Sequence, residues 1–105
     1  MILNGKVYVI PEITFGTIID LEELGFSITD FQKRPLSGIR AFVALAMKGN
    51  VEQANKEIQE HIVNGGGFEE ISEEIRKAIE ESDFFRNLQK NKKQEITENT
   101  TQEAT

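Results

Sequence analysis

The run "IRAFVALAM", Ile39 to Met47, is apolar on nearly every side when wound as a helix, with Arg40 its sole charge. A helix that is apolar around its circumference has to be enclosed by other elements rather than laid on a surface. The rest of the chain must therefore supply cover for residues 39–47. Pro35 suits the first turn of this central helix, and Gly49-Asn50 supplies its stop. Phe42 and Leu45 are expected to be almost fully buried, within one chain or where copies meet. A domain of 105 residues has little room to bury such a helix alone, so a homo-oligomer is expected as well.

The covering elements can be read on either side. "LNGKVYV" carries Asn4-Gly5, a strong hairpin signal, and leads into a β-forming run from Lys6 to Ile10 that Pro11 closes. The arm before the turn is only three residues, Met1 to Leu3, so the ribbon is short and needs helices to pack on. "TFGTIIDLEELGF" predicts a short helix with Thr17 as N-cap, Asp20 in the first turn and Gly25 as the stop, placing Ile18, Leu21 and Leu24 on one face. Asn50 caps the next helix, whose stripe is Val51, Ala54, Ile58 and Ile62. Gly65, Gly66 and Gly67 end it as a helix-joining hinge. A fourth helix follows, with Phe68, Ile71, Ile75, Ala78 and Ile79 together and glutamates elsewhere. From about Lys90 the chain is polar and patternless, the composition of a disordered tail.

The expected fold is mostly α (α+β): a short N-terminal β-hairpin packed on a bundle of about four helices. Residues 1–89 form the domain and residues 90–105 a disordered tail.

Charge and composition remove several classes of function. The net charge of −6 resides in residues 51–89, and the flanking segments balance. An acidic half disfavours nucleic acid, which needs a basic surface, and favours a basic protein partner. Lys33-Arg34 alone supplies little affinity for phosphates. With no cysteine there is no disulfide, thiolate metal site or cysteine nucleophile. No apolar run approaches the ~18 residues of a membrane span, and "MILNGKVYVIPE" lacks the basic head and cleavage site of a secretory signal. The chain is expected to stay where it is made.

No catalytic constellation emerges. His61, the single histidine, stands at the margin of an apolar stripe with no matching nucleophile and acid, and reads as structural. Glu69-Glu70 and Glu73-Glu74 lie on a polar helix face, where they suit the N-terminal turns and lack the inward Glu-x-x-His unit of a bundle metal site. The triple glycine has no following Lys-Ser/Thr and opens an acidic turn, so it does not cradle phosphate. No cofactor and no enzymatic activity are expected.

One pair of residues stands out. In "EESDFFRN", Phe84 and Phe85 are adjacent, and neighbours on a helix point about 100° apart. If the fourth helix continues, Phe85 joins the stripe of Ile71, Ile75 and Ile79 while Phe84 projects among the glutamates as a protein contact. If the helix breaks at Ser82-Asp83, both rings fold inward.

The order of a short β start, an apolar central helix, the "NGG" break at Asn64–Gly66 and the "ESDFF" ending at Glu81–Phe85 resembles the tail assembly chaperones of long, non-contractile-tailed bacteriophages and prophages of Gram-positive bacteria. The resemblance spans roughly residues 6–89. It implies a non-enzymatic protein of the infected host's cytoplasm, absent from the mature virion. Such a protein binds the tape measure protein, keeps it soluble and promotes polymerisation of the tail tube around it. The resemblance also implies a homo-oligomer and a longer form, made by frameshift, that reaches the major tail protein. "QKNKK" is a place where adenine-rich codons would allow that slip. The alternative is a generic acidic helical interaction module, an antitoxin-like partner of some basic protein.

Overall fold

A computed structural model describes residues 1–90. It is mostly helical, with a two-stranded antiparallel hairpin at the N-terminus. Strands β1 (Ile2–Leu3) and β2 (Lys6–Val7) pair in the register Ile2 with Val7 and Leu3 with Lys6. The turn between them places both Asn4 and Gly5 at positive φ, 53° and 73°, the twist that suits a tight hairpin. Leu3 anchors the ribbon in the core. The expected β run stops short, since only Lys6–Val7 is strand.

Helix α1 (Phe15–Glu23) begins earlier than expected. Its N-cap is Thr14, whose hydroxyl accepts from the Thr17 amide at 3.3 Å. Thr17 is inside the first turn and buried, and its own hydroxyl donates to the Glu12 carbonyl at 2.6 Å. Both threonines can cap a helix, and the hydrogen bond to the Glu12 carbonyl occupies the Thr17 hydroxyl inside the first turn. Ile18 and Leu21 are buried from this helix, with Leu24 half-buried at its end.

After a 3₁₀ turn (Ile28–Asp30), α2 (Pro35–Ala46) opens with proline at its first position. It packs against α1, the 3₁₀ turn, α3 (Val51–Val63) and α4 (Glu69–Glu81). Gly38 makes one of these approaches possible, because a Cβ there would run into the rings of Phe31 and Phe26. Those two rings meet edge to face at 6.5 Å between centroids. Phe42, Val43 and Ala44 have no exposed surface.

Within one chain Leu45 is half-buried at the margin of the core. The single chain covers most of this helix by itself, leaving Pro35, Leu36, Arg40 and Ala46 exposed, so its apolar circumference is no argument for self-association. Helices α1, α3 and α4 and the 3₁₀ turn supply the cover.

Asn50 caps α3, accepting the Gln53 amide at 3.0 Å. Of its expected stripe only Ala54 is buried; Val51 and Ile58 are half-buried and Ile62 is exposed. Helix α4 buries Ile71, Ile75 and Ile79. No described helix is long and apolar enough to cross a membrane. A further helical run covers residues 83–90, so Lys90 is helical where the tail was expected to begin. The remainder of that expected tail lies outside the described residues.

Candidate functional site

The continuous fourth helix is replaced by a break at Ser82. Ser82 caps α4 in an extended conformation, φ −72° and ψ 117°. It is buried, and its hydroxyl has two partners. It donates to the Ile13 carbonyl at 2.6 Å and accepts from the Phe85 amide at 3.0 Å, while the Ser82 carbonyl accepts from the Arg86 amide at 3.0 Å. Ser82 therefore ends one helix, caps the next and grips the strand-like segment that leads into α1.

The break redirects both phenylalanines. Phe85 leaves the α4 stripe and is half-buried against the edge of the core. Phe84 is 38% exposed and meets Phe15 edge to face, with ring centroids 6.2 Å apart and planes at 67°. Phe15 is 64% exposed. The Thr14 cap places it at the first position of α1, off the stripe formed by Ile18, Leu21 and Leu24. Leu88, also exposed, follows on the last helical run. Neither reading of the pair holds whole: the helix breaks, but Phe84 stays at the surface. Its partner Phe15 was missed by the sequence reading. The available signal was its position about 120° from the middle of the α1 stripe.

The remaining residues singled out from the sequence belong elsewhere. Phe42 lies in the core, whereas Gly65, Gly66 and Gly67 form the turn between α3 and α4, at a second, polar junction. There His61 Nδ1 accepts from the Asn4 amide at 3.1 Å, and Nε2 stands 3.0 Å from the Gly67 carbonyl. These partners require the proton on Nε2, which donates to Gly67. Gly66 has to lack a side chain, since a Cβ would enter the His61 ring.

The same junction holds Glu57, 5% exposed on α3 and unforeseen as a buried group. Its Oε2 accepts from Asn4 Nδ2 at 3.1 Å, and its Oε1 accepts from Lys6 Nζ at 3.3 Å and Gln53 Nε2 at 3.2 Å. The Asn4 amide group also reaches the Glu57 backbone carbonyl at 2.8 Å. The Asn4 hydrogen bond, with help from Lys6 and Gln53, holds the Glu57 carboxyl below its ordinary value against the opposing effect of burial. The Lys6 ammonium is raised in turn, first by its hydrogen bond to Glu57 and then by that charge. Every donor around Glu57 has a structural task, so the cluster latches the hairpin to α3.

On α4, Arg76 bridges Glu73 and Glu80 on the outer face, and that pairing raises its pKa. Among the described residues no group of three or more His, Asp and Glu side chains could hold a metal ion. Neither a protein-family model, nor a curated protein, nor a solved structure matches this chain.

Proposed function

We propose that the protein is a phage tail assembly chaperone that captures the tape measure protein, keeps that long chain soluble and promotes tail-tube polymerisation around it. The observation that supports this most is the Phe15–Phe84 pair: two exposed rings held edge to face beside the Ser82 break. Covering two adjacent exposed rings with another chain removes their apolar surface from water, and rings already in mutual contact lose less freedom on capture. The acidic segment around them suits a partner with basic residues and opposes aggregation of the chaperone itself.

In this reading the protein works in the host bacterial cytoplasm and is left out of the mature virion. It associates with copies of itself, and a frameshift-extended form contacts the major tail protein. The test is co-expression with the neighbouring tape measure protein. The parent should co-purify with it, and Phe84→Ala should weaken capture about tenfold, as loss of a contact hot spot does. Failure of the parent to bind the tape measure protein sinks the reading and leaves the acidic interaction module. Undiminished capture by Phe84→Ala removes the ring from the interface.

A further inference from the structure

The hairpin has an open edge. The segment Lys6–Ile10 is the most β-forming stretch of the chain, yet only Lys6–Val7 is strand. The register shows where its backbone points. Leu3 faces Lys6 beside the turn, Ile2 faces Val7, and beyond them the Tyr8 amide donates to the Met1 carbonyl at 2.7 Å. Hydrogen-bonded and non-hydrogen-bonded pairs alternate along an antiparallel ladder. The amide and carbonyl of Val7 therefore point away from β1, and Val9 continues that alternation. Side chains alternate in step: Val7 and Val9 are 75% and 78% exposed, whereas Tyr8 and Ile10 are half-buried. Among the described residues no hydrogen bond engages the backbone of Val7 or Val9.

We infer that this edge pairs with the same edge of a second copy of the chain. An antiparallel arrangement about a two-fold axis at Tyr8 sets Val7 opposite Val9 of the other copy, and Val9 opposite its Val7. Each valine then exchanges both N–H···O=C bonds with the residue it faces, which satisfies the groups left open. Any extended strand could bond to this backbone. A second copy is selected because the two-fold also brings each exposed valine against another β-branched side chain, with Ile2 extending the apolar row on the same face. Pro11, which has no amide hydrogen, limits how far the pairing can run. An exposed edge flanked by apolar side chains otherwise invites aggregation, and pairing it removes that hazard. This inference does not depend on the tape measure reading.

Sedimentation equilibrium of the full chain tests it, with folding of each variant checked by circular dichroism. The parent should be dimeric at about 100 µM. V7K/V9K places like charges opposite one another across the axis and should raise the dimer dissociation constant about tenfold or more. V7K/V9E places opposite charges at the same two positions and should restore the dimer, which only the Val7-to-Val9 register explains. Val9→Pro removes one edge amide without breaking any bond within the chain, and should also weaken association. A monomeric parent overturns the inference. So does a dimer that V7K/V9K leaves unchanged, or one that V7K/V9E fails to recover.

Discussion

Besides the ion pair of the Met1 ammonium with Glu74 on α4 at 3.0 Å, two fasteners hold the N-terminal arm to the helices, and they are built from opposite materials. At one end Glu57, a buried carboxylate, gathers Asn4 and Lys6 of the hairpin. At the other Ser82, a buried neutral hydroxyl, holds the Ile13 carbonyl. The charged fastener needs several donors to offset its burial, and an open cleft lined by Lys6, Glu60, His61 and Gly66 lies beside it. The neutral one needs a donor and an acceptor, and leaves the ground above it free for two aromatic rings. Satisfying a buried charge takes several donors converging from two elements, whereas a buried hydroxyl is satisfied by one donor and one acceptor.

Both fasteners rest on one core. Phe42→Ala should loosen the two together, lowering stability by about 3–5 kcal/mol in denaturant unfolding. A change of a few tenths of a kcal/mol would show that the fasteners hold without the central helix. Ser82→Ala separates them. It removes a helix cap and strands the Ile13 carbonyl, at a cost of about 1–3 kcal/mol, and should leave the acid profile of stability unchanged in shape.

Glu57→Gln should cost less at neutral pH, because the amide keeps part of the network, and it should alter that profile. The folded chain holds the Glu57 proton more weakly than the unfolded chain, whose ordinary value is 4.5. The stability Glu57 contributes is therefore present above about 4.5 and lost as pH falls through the lower folded value. Lys6 mirrors this: its contribution is present below 10.5 and lost as pH rises through the raised value. Melting temperatures between pH 7 and 3 should fall less steeply for Glu57→Gln than for the parent; parallel curves would show that the charge is not what fastens the hairpin. The smallest effect belongs to Phe84→Ala, about 0.5 kcal/mol, since the ring is partly exposed and loses mainly its contact with Phe15. A core-sized loss would show that the ring serves the fold rather than the proposed contact.

Legibility in the sequence followed distance along the chain. The Asn4-Gly5 turn, the Asn50 cap, the proline start of α2 and the buried isoleucines of α4 are local signals, and each was readable. Thr14 was missed as a cap because Thr17 fits the same rule, and only the folded position of Glu12 tells them apart. Glu57 looks like one more solvated glutamate until the hairpin brings donors from more than fifty residues away. The break at Ser82 could be read as one of two options, but what fixes it, Ile13, lies 69 residues earlier. The Phe15–Phe84 pair spans the same gulf. Periodicity identifies what is buried within one element; it says nothing about which two elements share a polar atom or a ring.

Tyr8 gives the molecule a built-in optical reporter. It is the single tyrosine in a chain without tryptophan, so emission excited near 280 nm comes from one side chain. That side chain sits half-buried in the ribbon, with its amide tied to Met1. Ultraviolet fluorescence of the unlabelled protein therefore follows the docking of the hairpin and is nearly blind to the helices. Circular dichroism at 222 nm follows the helices and is nearly blind to the ribbon. Recorded on the same sample, the two signals separate detachment of the arm from melting of the bundle without a dye or an engineered residue.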